Sequence, residues 1–383
     1  MVSIKVLSTG LIYRNPKPHV RSVHAYFPSA VRFSNGDMLA SIVLGEAFES
    51  ANLHTHLCRS RDGGDNWSFD GPLYPGTRDR ITSDASRLTA LSSGEVVAFM
   101  VRHDRTDHPD EGLTNPANLG FVPTELLLLR SRDGGHTWST PKPLNPPLEG
   151  PSFELCSPIT VLRDGRWVLP TSTWPGWNGA CPNGIRMVAL VSHDQGRTWP
   201  EYWDVMNEPS GHVYFWESKI IEMSNGRLVS VAWAYDSKAA KDLPNQYVFS
   251  DDGGKTWSRP ASMGLIGQTL TPLALPDDRI LCVYRRTDTP GLWANVSHFD
   301  GPRWVNDFDA PLWGANVAGL TATSDNMSQN FTALRFGAPC VCHLSDKTVF
   351  VAFWCYEECV SVIRWFKLAI SESVAGFTGA SDR

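Results

Sequence analysis

The chain has 383 residues, 42% hydrophobic and 19% charged, with a formal net charge of -6. That is enough apolar material for a large core. No run reaches the ~18 apolar residues of a membrane helix, and the acidic balance argues against a nucleic-acid partner.

The N-terminal stretch MVSIKVLSTGLIYR lacks the long apolar segment of a secretory leader, which gives a cytoplasmic expectation. Within it, SIKVLSTGLIY (Ser3–Tyr13) is a predicted strand. SAVRFSNGDMLASIV (Ser29–Val43) follows as a hairpin turning at Asn35-Gly36. Next comes SRDGGDNW (Ser60–Trp67), an Asp-Gly-Gly turn closed by a tryptophan. The alternation then repeats. Hairpins SRLTALSSGEVVAFMV (Ser86–Val101), SPITVLRDGRWVLP (Ser157–Pro170) and SKIIEMSNGRLVSVAW (Ser218–Trp233) alternate with SRDGGHTW (Ser131–Trp138), SHDQGRTW (Ser192–Trp199) and SDDGGKTW (Ser250–Trp257). A fifth hairpin, LTPLALPDDRILCVY (Leu270–Tyr284), precedes a decayed copy, SHFDGPRW (Ser297–Trp304). The sixth is APCVCHLSDKTVFVAFW (Ala338–Trp354), and SVIRWFKLAIS (Ser361–Ser371) is the last predicted strand.

Four copies read Ser-x-Asp-x-Gly-x-x-Trp. The Asp can accept bonds from the amides of its own turn, Gly supplies positive φ, and Trp can plug the gap between neighbouring sheets. These residues are therefore expected to be structural. Each hairpin-plus-turn pair supplies four strands, one blade of a propeller. The prediction is an all-β, six-bladed β-propeller with four-stranded antiparallel blades, in a single domain over residues 1–383. The first strand should close the last blade, which removes an exposed sheet edge. Residues after about Ile370 read as a polar tail. The eight cysteines show no spacing that completes a zinc site and read as reduced, mostly buried thiols. Neither a metal nor a cofactor is expected.

Asp-box turns on six alternating hairpins resemble the sialidase (neuraminidase) superfamily, across nearly the whole chain. The resemblance implies a carbohydrate substrate, three arginines clamping its carboxylate, a Tyr–Glu nucleophile pair and an Asp acid/base. Phe215-Trp216-Glu217-Ser218 matches the segment carrying the glutamate. Tyr26 stands in the place of the first arginine, and Trp233 or Tyr235 in that of the second. The third has no match near Leu292-Trp293, and Leu334-Arg335-Phe336-Gly337 replaces the tyrosine segment. The arginine triad is dismantled.

In such a ring, segments leading into the inner strands and segments leaving the second strands share one rim, opposite the Asp boxes. The first set carries His24, Tyr26, Asp84, Arg87, Glu154, His212, Trp216, Glu217, Gln268 and Arg335. The second carries Glu46, Glu49, Arg102, His103, Asp104, Trp174, Trp177, Tyr235, Asp236, Arg285, Arg286, Tyr356 and Glu357. Glu217 follows two aromatics and is the leading catalytic candidate. Desolvation would suit it as a general acid, or as the base for a tyrosine. Asp84 and Glu154 are its candidate partner carboxylates, His103 a candidate proton shuttle and Tyr26 a candidate base. Arg335, Arg285 and Arg286, assisted by Arg87 and Arg102, are candidates to hold a substrate carboxylate, and His24 and Asp104 are further candidate substrate contacts. Trp216, Trp233, Trp174 and Trp177 are candidate sugar platforms, and Tyr356 is a further candidate substrate contact. The loop RTDHPDEGLTNPANLG after His103 reads as a lid.

The leading functional expectation is an exo-acting glycoside hydrolase on a terminal acidic sugar. The rivals are a uronate lyase working by β-elimination and a non-catalytic glycan-binding propeller. The expected partner is an oligosaccharide or glycoside. Oligomeric state has no signature in the sequence.

Overall fold

The protein is described by a computed structural model covering residues 2–77, 79–315, 317, 320, 330 and 333–372. Most of the predicted polar tail lies outside the described residues. Six antiparallel sheets form the blades. Blade 1 holds β2 (His24–Arg32), β3 (Met38–Gly45), β4 (His54–Ser60) and β5 (Ser68–Pro72). Blade 2 holds β6 (Thr82–Ala90), β7 (Val96–Asp104), β8 (Thr124–Ser131) and β9 (Lys142–Pro143). Blade 3 has its inner strand in two pieces, β10 (Ser152–Phe153) and β11 (Thr160–Val161). Both pair with β12 (Trp167–Trp174), followed by β13 (Met187–Ser192) and β14 (Glu201–Met206).

Blade 4 holds β15 (Val213–Glu222), β16 (Leu228–Asp236), β17 (Lys241–Ser250) and β18 (Ala261–Ser262). Blade 5 holds β19 (Gly267–Ala274), β20 (Ile280–Arg286), β21 (Gly291–Asp300) and β22 (Arg303–Trp313). Blade 6 joins β23 (Phe336–Ser345), β24 (Thr348–Glu357) and β25 (Val360–Glu372) to β1 (Val2–Tyr13), which runs antiparallel to β25 from Val2↔Glu372 to Tyr13↔Ile363. The first strand thus closes the ring, as the repeat pattern predicted.

The Asp-box turns hold themselves by one repeated hydrogen-bond set. Ser60 Oγ donates to Asp62 Oδ1 at 2.7 Å, Gly64 N–H donates back to Ser60 Oγ at 2.8 Å, and Asn66 N–H donates to Asp62 Oδ1 at 2.9 Å. Asp133, Asp194 and Asp252 repeat it. These bonds to the charged form hold all four Asp well below the usual carboxylate range. The second box glycine sits against the neighbouring blade. Gly254 has φ 92°, and a Cβ there would stand 2.5 Å from the Trp203 ring. In the decayed fifth copy Phe299 replaces the Asp, and Trp304 Nε1–H instead donates to Asn306 Oδ1 at 3.0 Å.

The core lies between adjacent blades. Val283, Leu292 and Val296 of blade 5 meet Phe336, Val351 and Phe353 of blade 6, all fully buried. Each such side chain stabilises by about 1.5–3 kcal/mol. Among the described residues no helix is long and apolar enough to cross a membrane.

Candidate active site

The inner strands of blades 1, 4, 5 and 6 all lose their ladder register at one level. The breaks fall between Tyr26/Ser29, Trp216/Lys219, Gln268/Thr271 and Gly337/Cys340. Each contains one non-glycine residue at positive φ: Phe27 (49°), Glu217 (52°), Thr269 (54°) and Ala338 (46°). That conformation costs an L-residue about 1–2 kcal/mol, so the surroundings must hold it. A bulge re-aims its side chain and releases its amide from the ladder.

Neighbouring blades capture these freed amides. Glu217 N–H donates to Glu154 Oε2 at 2.9 Å, Thr269 N–H donates to Glu217 Oε2, and Ala338 N–H donates to Thr269 Oγ1 at 3.3 Å. A relay therefore runs from blade 3 to blade 6 around the axis. Lys219 Nζ secures the same bulge by donating to Glu217 O at 2.7 Å.

Above the relay lies a cavity of about 190 Å³. Three carboxylates line it: Glu49 from blade 1, Glu154 from blade 3 and Glu217 from blade 4. Arg87, Arg285 and His103 complete the titratable lining, and Phe27, Phe48, Phe121, Trp174, Trp216 and Trp233 form most of an aromatic wall. A larger groove of about 780 Å³ at the Asp-box end has no carboxylate in its lining.

The loop after His103 forms one side of the cavity through Leu113, Thr114, Leu119 and Phe121. It is pinned on both flanks. Buried Arg105 donates to Glu49 O at 2.9 Å, Leu113 N–H to Glu49 Oε1 at 3.3 Å, and Trp174 Nε1–H to Leu119 O at 2.6 Å. Where it crosses blade 3, a Cβ on Gly120 would lie 2.1 Å from Gly176 O, so only glycine fits.

Burial, then the nearby Glu217 charge, pushes Glu154 up to about 7. Cys156 Sγ–H also donates to its Oε2 at 3.1 Å. Burial likewise raises Glu49. Such groups keep a proton where an exposed carboxyl has lost it. Burial and the charge of Arg105 push His103 down to about 4, which leaves it neutral at pH 7. Both cavity arginines are engaged with the fold. Arg285 donates to Phe336 O at 3.1 Å and to Gln268 Oε1 at 3.2 Å, and Arg87 donates to Phe27 O at 3.2 Å. Gly337 allows the close approach of Arg285, since a Cβ there would stand 2.4 Å from its Nη1.

The cavity thus gathers Glu217, Glu154, His103, Arg285, Arg87, Trp216, Trp233 and Trp174 from the sequence candidates. The others lie outside its lining, each for a local reason. Asp84 is on a regular strand, where Ala85 and Arg87 face the axis. Its carboxylate points to blade 1, bound to His54 Nδ1 and Thr55 N–H at 2.8 Å each. The bulge turns Phe27 rather than Tyr26 to the axis. The Tyr26 hydroxyl meets that of Tyr356 at 3.0 Å in the core between blades 1 and 6. His24 stacks near both rings, and its Nδ1 accepts Ser361 N–H at 3.1 Å.

Arg335 lies over the Tyr356 ring, 5.5 Å from its centroid, while its neighbour Leu334 lines the cavity. Strand alternation places Arg102 and Asp104 opposite to His103, paired with Glu125 at 2.7 Å and Arg80 at 3.1 Å. Arg286 pairs with Asp288 at 2.7 Å and Asp309 at 2.6 Å. Sequence reasoning placed Glu49 on the rim without choosing it, and missed Lys219 and Thr269. The signal for these was a bulge at equivalent positions, which no residue pattern announces.

The family match is the BNR/Asp-box repeat, over residues 248–259. No curated protein matches the chain. Among solved structures, a protein of unknown function from Dyadobacter fermentans superposes with TM-score 0.72 and 20% identity, over 96% of this chain and 99% of that one. The NanB sialidase of Streptococcus pneumoniae gives TM-score 0.64 and 12% identity, over 94% of this chain and 70% of that one. The α-L-arabinanase of Penicillium chrysogenum, solved with arabinobiose, gives 0.62 and 15%, over 94% and 98%. The class is therefore a six-bladed Asp-box β-propeller. More particularly, the fold is the one that sialidases and arabinan-cleaving glycoside hydrolases share.

Proposed function

We propose that the protein is an exo-acting glycoside hydrolase that removes a neutral terminal sugar. The observation that carries this reading is the convergence of Glu49, Glu154 and Glu217 on one small aromatic-walled cavity. Hydrolysis of a glycoside needs one protonated and one ionised carboxyl flanking the bond. Glu49, raised by burial, takes the acid role and gives its proton to the glycosidic oxygen as the bond from the anomeric carbon to that oxygen breaks. Glu217 acts from blade 4 either as the base that takes a proton from water as that water attacks the anomeric carbon, or as the nucleophile whose glycosyl ester water then cleaves with the deprotonated Glu49 accepting the proton. Glu154 holds the Glu217 backbone amide and so sets the bulge that aims it.

The acidic sugar expected from the sequence gives way to a neutral one. Arg335, Arg286 and Arg102 lie outside the cavity lining, and of the two arginines in it Arg285 spends its nitrogens on Gln268 and Phe336, while Arg87 bonds backbone oxygens through Nη1 alone, short of the three-arginine clamp an acidic sugar would meet. The arabinanase, matched over 98% of its length, makes α-L-arabinofuranosides the first substrates to test. A panel of 4-nitrophenyl glycosides should release nitrophenol from the arabinofuranoside or another neutral sugar. Release from none of them, or from the N-acetylneuraminide alone, contradicts the reading.

A further inference from the structure

A second depression adjoins the cavity. A groove of about 420 Å³ lies on the same rim, between blades 3 and 4. The end of the lid, the β12–β13 connection and the segment leading into β15 enclose it, and Leu119 belongs to both linings. The two spaces differ in chemistry. The cavity has aromatic walls, whereas Asn118, Asn183, Arg186, Asn207, Glu208 and Tyr214 face the groove. Planar amides, a carboxylate and a phenol are groups that pair with sugar hydroxyls.

Most of these side chains are held in place. Asn118 Nδ2–H donates to Trp177 O at 3.2 Å, Arg186 pairs with Asp204 at 3.0 Å, and Glu208 accepts Ser210 N–H at 3.0 Å. The Tyr214 hydroxyl and the Asn207 side-chain amide make no hydrogen bond among the described residues. The Tyr214 ring lies 5.7 Å from Trp216, at the junction with the cavity. Gly179, at φ 81°, keeps the groove floor open, since a Cβ there would stand 3.1 Å from the Asn118 amide.

The volumes set the stoichiometry. At about 190 Å³ the cavity falls below the ~300 Å³ at which pockets take drug-sized ligands, so it holds one ring. The groove exceeds that size. Resting on the hydrolase reading above, we infer that the substrate is an oligosaccharide. Its terminal sugar enters the cavity, and the leaving-group chain lies along the groove beside Tyr214 and Asn207 with room for two further rings.

The test uses α-1,5-linked arabinobiose, arabinotriose and arabinotetraose, with 4-nitrophenyl α-L-arabinofuranoside as the short reference. Wild-type kcat/KM should rise about tenfold from biose to triose and level off at tetraose. Tyr214→Phe combined with Asn207→Ala should remove that rise, through KM. Titration of the Glu217→Gln protein should show the same length order in binding. Equal kcat/KM for all lengths overturns the groove assignment while leaving the hydrolase reading standing. Length-dependent binding without turnover by the wild type overturns the hydrolase reading and leaves the groove standing. Binding that is absent or independent of length also removes the groove.

Discussion

Replacing Glu217 by Gln is expected to lower kcat by roughly 10³-fold on every substrate, the scale of losing a positioned acid–base or nucleophilic group. The fold should survive. The Gln carbonyl oxygen can still accept Thr269 N–H, and Lys219 still donates to the carbonyl of residue 217. A thermal midpoint within about 3 °C of wild type, read alongside the kinetics, separates lost chemistry from lost structure. More than a tenth of wild-type kcat in the variant would show that Glu217 is only a strut between blades 4 and 5. Its bond to Thr269 N–H gives that rival a concrete basis.

Replacing Glu49 by Gln should give a loss that depends on the leaving group. A sugar leaving group needs a proton, so kcat on an oligosaccharide falls by roughly 10²–10⁴-fold. Nitrophenolate leaves without one, so the nitrophenyl glycoside loses far less. The pH dependence has a definite sign. Glu49 works in its protonated form, and burial raises its pKa. Wild-type activity on oligosaccharides should therefore persist above the ordinary carboxyl range and decline as pH rises through the raised pKa. The residual oligosaccharide activity of the Gln variant should lack that alkaline limb. An equal loss on both substrates, or an unchanged limb, removes Glu49 from the acid role.

The ring itself was legible because its devices are local. Four Ser-x-Asp-x-Gly-x-x-Trp copies encode their own turn bonds, and six hairpins between them count the blades. Even closure by the first strand followed, since an unpaired apolar edge needs a partner. The site was legible only in part, because its geometry depends on irregularities. Simple alternation misassigned Tyr26, since a bulge one residue later turns Phe27 to the axis instead. Asp84 fell on the wrong side of a strand that stays regular. Glu217 followed from the family match, but its contact with Thr269 on the next blade joins residues 52 positions apart. Glu49 becomes meaningful only once Arg105 and Leu113 fold the lid against it.

The central claim is that three blades deliver Glu49, Glu154 and Glu217 to one sugar. The most direct measurement is a crystal structure of the Glu217→Gln protein soaked with arabinobiose. The predicted electron density has the terminal ring inside the aromatic cavity, its anomeric carbon toward residue 217 and its glycosidic oxygen within hydrogen-bond reach of Glu49. A disaccharide seated in the Asp-box-end groove, with nothing between these carboxyls, would contradict it.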